Sequence, residues 1–181
     1  MEYWIVYSLD TFEEMYRSQG NVGASAYQQV PQGAGLLVVP FSVIGANGAI
    51  NIEALRAAMN DFVDASAEAF CLRFLTPGTT QAMRYLRKET EARAWLLDNT
   101  TRTPFLEAEA SACDVTVEEL VPVVIQRADQ WEVVGALIEG ERMGAKDRIA
   151  RGETFADIVR VGRIDWQALV APPAPTSAPA A

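Results

Sequence analysis

Residues 116–151 read TVEELVPVVIQRADQWEVVGALIEGERMGAKDRIAR, and this stretch decides the fold class. It opens with Thr116 and Glu119, which are spaced as a capping box, where each side chain bonds the other residue's backbone amide. Apolar side chains then recur on one helical face at Ala128, Trp131, Val134, Ile138, Ala145 and Ile149. The pattern predicts one helix from Thr116 to about Arg151, about 50 Å long at 1.5 Å per residue.

Further helices are predicted on both sides of this one. Asn51 is a suitable N-cap for a helix that runs to about Leu75, before the stop signal Thr76-Pro77-Gly78. The apolar face of this helix is predicted to contain Leu55, Met59, Phe62, Ala69 and Phe70. The next helix spans about Thr80 to Leu97, and its predicted stripe contains Met83, Leu86, Thr90, Ala94 and Leu97. Short helices follow at Pro104–Ala112 and Thr154–Val161, and Trp166 lies in a terminal apolar anchor.

The first 50 residues predict a small antiparallel sheet. Tyr3–Tyr7 is rich in aromatic and β-branched residues, Met15–Arg17 is a short returning strand, and Leu36–Pro40 is an apolar run. Gly45–Gly48 contains an Asn-Gly pair, which is typical of a turn. A sheet of this size is marginal alone, so we expect it to pack on the helices or on another chain.

These elements predict an α+β fold, in which a small N-terminal antiparallel sheet precedes a helical bundle with a long helical hairpin. The predicted domains are a small β domain over residues 1–50 and the helical bundle over residues 51–170. Residues 171–181, APPAPTSAPAA, are low in complexity and predict a disordered tail.

Composition excludes several kinds of chemistry. The chain has no histidine, which removes imidazole acid–base catalysis and the usual nucleophile activation, and a net charge of −9, which repels a phosphate backbone. No apolar run approaches the roughly 20 residues that cross a bilayer. Cys71 and Cys113 lie far apart and are expected to pack as small apolar side chains. We therefore expect no metal, no cofactor, no nucleic acid and no membrane as partners.

Two ridges of ionic side chains are the best candidates for a site. Tyr85, Lys88 and Glu91 lie three residues apart, and a second ridge carries Glu139, Arg142 and, one turn further, Lys146. If these helices pair, Glu91 meets Arg142, or Glu109 meets Lys146. The pairs would form either a charged site between helices or ion pairs that fix the register of a bundle, and we favour the second interpretation.

The aromatic residues divide into two groups. Trp95, Trp131 and Trp166 stand at helical spacing beside aliphatic residues, which favours a place in the core over ligand stacking. Trp4 and Tyr7, in the first strand, fit either the core or an exposed strand that binds a partner chain, because a small sheet has edges to cover.

The chain resembles phage tail and tail-fibre-associated proteins over about residues 1–40 and 80–150. The matching residues are Tyr85-x-x-Lys88-x-x-Glu91-Ala92, Pro104-x-Leu106-x-Ala108-Glu109, Thr116-x-x-Glu119-Leu120, Trp131, and Ile138-Glu139-x-x-Arg142-x-x-x-Lys146-x-x-Ile149. The opening Trp4-Ile5-Val6-Tyr7 and its turn look like the β start of fibre or baseplate accessory proteins. This sequence departs from that pattern at the turn, where Phe12 replaces the usual glycine.

The resemblance implies a structural component of a bacteriophage tail, fibre-associated or at the baseplate, made in the host bacterial cytoplasm and found in the virion. Its partners would be other tail proteins, and tail symmetry implies a homo-oligomer such as a trimer. An alternative is a tail-fibre assembly chaperone, absent from the mature virion. A third hypothesis, a cell-wall hydrolase that uses Glu91 and Glu109, is disfavoured because no acid pair lies in a recognisable cleft motif, so we expect no enzymatic activity.

Overall fold

The computed structural model describes residues 1–45, 47–74, 78 and 80–171, and it has the predicted α+β fold. Strands β1 (Glu2–Ser8), β2 (Glu14–Gly20) and β3 (Ala34–Val39) form one antiparallel sheet in the order β2-β1-β3. The helices are α1 (Ile52–Cys71), α2 (Gln81–Leu97), α3 (Pro104–Cys113), α4 (Val117–Arg151), α5 (Phe155–Gly162) and α6 (Trp166–Val170). Short 3-10 turns lie at Ala24–Tyr27 and Phe41–Val43.

The chain divides into two compact units. Unit 1 comprises Met1–Ala67 and Glu139–Leu169, and unit 2 comprises Glu68–Ile138 and Val170–Ala181. This division differs from the sequence-based one at residue 50, because unit 1 joins the sheet to most of α1 and to the C-terminal helices. Ala46, residues 75–77, residue 79 and the predicted tail from 172 onward lie outside the described residues.

Strand β1 is the centre of unit 1. Its residues Trp4, Ile5, Val6 and Tyr7 are all buried, which is typical of a strand that is covered on both faces. Phe12, in the turn after β1, has a φ of 64°, a left-handed conformation that glycine adopts more easily. Its ring lies 6.1 Å from that of Tyr7, and the guanidinium of Arg160 lies over it, so packing offsets the backbone strain.

Side-chain caps define several helix starts as the sequence predicts. The Asn51 carboxamide accepts a hydrogen bond from the Ala54 amide at 3.1 Å at the start of α1. Thr116 and Glu119 form the predicted reciprocal capping box of α4. Helix α1 ends at Cys71, before the predicted Leu75, and the predicted stop signal at Thr76-Pro77 lies outside the described residues.

The helical core of unit 1 faces one side of α1. Its buried residues on this helix are Leu55, Met59, Val63 and Ala67. The predicted face included Phe62, which is half-buried, and Ala69, which is exposed, because the true stripe passes through Val63 and Ala67. Helix α5 packs here without a side chain at Gly162, where an added Cβ would lie 2.3 Å from the Met59 methyl group.

The core of unit 2 corrects the sequence analysis of α2. Ala92, Leu106 and Val121 form its buried centre, with Trp95, Val117, Leu120, Val124 and Ile125 packed around them. The predicted stripe of α2 is wrong, because Met83, Leu86 and Leu97 are exposed. The buried residues of α2 are instead Glu91 and Ala92, which lie on a different face of the helix from the predicted stripe.

Helix α4 carries one continuous inner stripe. The residues at alternating steps of four and three are all buried or half-buried, namely Val117, Val121, Val124, Ala128, Trp131, Gly135, Ile138, Arg142, Ala145 and Ile149. This is the spacing of a coiled-coil seam. The sequence-based stripe began only at Ala128, so it missed Val117, Val121 and Val124, and it contained Val134 where the observed stripe has Gly135.

Candidate functional site

An ion-pair network in unit 1 joins the predicted residues Glu139, Arg142 and Lys146 to a residue that the sequence analysis missed, Asp64 of α1. Lys146 Nζ lies 2.6 Å from Asp64 Oδ2, Arg142 Nη1 donates to Asp64 Oδ1, and Arg142 Nε lies 2.7 Å from Glu139 Oε2. Hydrogen bonds from Lys146 and then Arg142 lower the pKa of Asp64, and Arg142 lowers the pKa of Glu139. Glu139 and then Asp64 raise the pKa of Arg142.

In unit 2, the carboxylate of Glu91 caps another helix. Only 4% of Glu91 is exposed, and its Oε2 accepts hydrogen bonds from the backbone amides of Phe105 at 2.9 Å and Leu106 at 3.2 Å. These amides belong to the first turn of α3, whose N-terminus attracts negative charge. The other oxygen, Oε1, has no hydrogen bond but lies 3.5 Å from the Nε of Arg87.

Two further ion pairs join the helices of unit 2. Lys88 Nζ lies 2.7 Å from Glu109 Oε2, and this ion pair links α2 to α3. The same ammonium group lies 5.2 Å from the centre of the Tyr85 ring. Arg93 of α2 bonds Asp129 of α4 at 2.6 Å, a pair that the sequence analysis did not find.

The sequence analysis considered that, if the helices pair, Glu91 meets Arg142 or Glu109 meets Lys146. Each of the four side chains has partners within its own unit, which are described above. All of them contribute to ion pairs or caps within one unit. The two carboxylates of the hydrolase hypothesis, Glu91 and Glu109, accept hydrogen bonds from groups of α2 and α3.

The structure places Trp4 and Tyr7 in the core of unit 1. Trp4 lies against Gly20 and Ala24, and the Tyr7 ring lies over Gly35 and 6.2 Å from Phe155. Burial raises the pKa of Tyr7, although the nearby Arg163 opposes this shift. Neither side chain forms the exposed strand that the sequence analysis left open. Trp166 is also buried, and Trp131 is half-buried.

Unit 2 exposes an uncharged stripe of aliphatic and glutamine side chains on α4, which we call the outer stripe: Val123, Gln126, Gln130, Val133 and Leu137. Beside it runs an open groove of about 530 Å³ between α2 and α4. Leu96, Pro122, Ile125 and Val133 supply the apolar lining, and Gln126, Asp129 and Gln130 supply the polar groups. Exposed valine and leucine side chains at helical spacing are typical of a helix face that binds another chain.

Other features of the described residues bear on ligand classes. Cys113 is exposed, so the expectation that both cysteines pack in the core is wrong for this residue. Among the residues that the structure describes, no three acidic or cysteine side chains gather closely enough to hold a metal ion. None of the described helices has the length and apolar character required to cross a bilayer.

Comparison with known proteins identifies no matching protein family, no similar curated protein and no similar solved structure.

Proposed function

We propose that this protein is an assembly subunit, which acts by binding other protein chains rather than by catalysis. The outer stripe and its groove carry the proposal, because valine and leucine side chains recur there along one exposed face of a single helix, beside an open groove. The ionic residues that were candidates for a site also support the proposal. They form ion pairs and helix caps within their own units, which agrees with the interpretation that they fix the register of helices.

More specifically, we propose a component of a bacteriophage tail, at the fibre or the baseplate. The support is the resemblance of residues 80–150 to tail-associated proteins, together with the roles that those residues have. Glu91 and Glu109 hold α3, and Arg142 and Lys146 hold α1. The proposed location is the virion, and the proposed partners are other tail proteins.

The test is mass spectrometry of purified phage particles that carry this gene, compared with the crude lysate. Recovery in purified particles, at a constant ratio to known tail subunits, supports a structural component. Recovery with tail-fibre protein in the lysate alone overturns that role and indicates an assembly chaperone. A chain that associates with no tail protein in either fraction removes both roles.

A further inference from the structure

We propose that the outer stripe of α4 binds the outer stripe of a second copy of this chain, with the two helices parallel and in register. The inference deepens the proposed function, because it names one partner of the assembly subunit and the surface that binds it. It rests on the spacing, chemistry and charge of residues within unit 2.

The spacing identifies the occupant as a helix. Val123, Gln126, Gln130, Val133 and Leu137 follow one another at steps of three, four, three and four residues, and all five are exposed. These are the steps of a coiled-coil seam. Each position lies two residues after a position of the inner stripe, and two residues rotate the helix by about 200°. Helix α4 therefore carries two seams on opposite faces, and only the inner one is covered within the unit.

The chemistry of the seam matches a second copy of itself. In a parallel, in-register pair each residue meets its own counterpart, so valine and leucine meet valine and leucine. Gln126 and Gln130 then meet Gln126 and Gln130 of the partner copy. A side-chain amide both donates and accepts, so two identical amides satisfy each other. A polar residue within a seam fixes register and the number of chains.

The charges near the stripe also permit self-association. The chain has a net charge of −9, which opposes the approach of two copies in general. None of the five positions of the outer stripe is charged. Asp129, which lines the groove beside the stripe, is bonded to Arg93 of its own chain at 2.6 Å, which neutralises it. Leu96 and Pro122 extend the apolar area along the groove.

The first test is sedimentation velocity of the full chain over a range of concentrations. We expect Val133→Glu to weaken self-association by at least about 100-fold, because each copy would bury an unpaired carboxylate. Leu86→Glu is the matched control: Leu86 is 65% exposed and Val133 64%, but Leu86 lies on α2, away from the groove. Circular dichroism checks that both variants are folded. A wild-type chain that stays monomeric at its highest soluble concentration overturns the proposal, as does equal weakening by both variants.

The second test addresses the register. Gln130→Glu and Gln130→Lys should each prevent association alone, since like charges would face each other, and an equimolar mixture should restore it. A mixture that stays monomeric overturns the in-register pairing. The outcome is separate from that of the proposed function: a monomeric chain found in virions refutes only this inference. Self-association of a chain that is absent from all tail complexes refutes only the proposed function.

Discussion

Replacement of Glu91 with alanine should strongly destabilise unit 2. The carboxylate accepts two amide hydrogen bonds from α3, and hydrogen bonds to charged groups contribute about 1.5–3 kcal/mol each. The alanine variant no longer buries a charge, and this gain offsets part of the lost hydrogen-bond energy. However, the substitution leaves both backbone amides without an acceptor. We expect the free energy of unfolding to fall by about 2–4 kcal/mol. Glu91→Gln keeps one acceptor oxygen and should lose only about 1 kcal/mol.

Urea unfolding of the full chain, followed by circular dichroism, measures these changes. Glu89→Ala is the control on the same helix, since Glu89 is half-buried and bonds the exposed Arg93 at 2.8 Å, a pair near the surface that is worth less than about 1 kcal/mol. Hydrogen exchange of the Phe105 and Leu106 amides provides a local measurement, and it should accelerate in Glu91→Ala alone. If Glu91→Ala and Glu89→Ala have equal effects and exchange at α3 is unchanged, Glu91 does not stabilise that helix.

Three further predictions concern unit 1. Gly140→Ala should stabilise α4 by up to about 1 kcal/mol, because an added Cβ meets nothing within 4 Å; a lower urea midpoint would contradict this. Gly162→Ala should destabilise the chain by about 1–3 kcal/mol, because the new Cβ overlaps the Met59 methyl group, and the same substitution should cost less in a Met59→Ala chain, which lacks that methyl group. The pKa of Asp64 is lowered in the folded state, chiefly by Lys146, so its stabilising contribution is present above pH about 4 and lost as the pH falls through the folded-state pKa. Thermal unfolding at pH 6 and pH 3 should therefore show a smaller loss in Asp64→Asn than in the wild type, and equal losses would disprove the linkage.

The sequence predicted the elements that depend on local chemistry. The caps at Asn51 and Thr116 act within four residues of their own helices, so short patterns suffice to find them. The inner seam of α4 is also a local periodicity. The fold class follows from these elements.

Local sequence patterns do not predict burial where a distant group decides it. Glu91 turns inward because amides 14 and 15 residues later hold its charge, and Met83 and Leu86 then face solvent. A rule that places apolar residues inside cannot predict that a glutamate is buried on this helix while a methionine and a leucine are exposed. Asp64 is 78 and 82 residues from its cationic partners, and nothing in its own surroundings distinguishes it from other surface acids.

The order of the chain constrains how unit 1 matures during translation. Tyr7 of β1 leaves the ribosome well before Phe155, which contacts its ring and lies 148 residues later. At bacterial synthesis rates of about 5–20 residues per second, that delay is about 7–30 s. The apolar strand β1 must wait through this interval without its final cover, while Glu68–Ile138 emerges as one uninterrupted segment. A chain that ends at residue 138 therefore contains all three strands of the sheet and the segment Glu68–Ile138, but it lacks Phe155, which contacts Tyr7 in the folded protein.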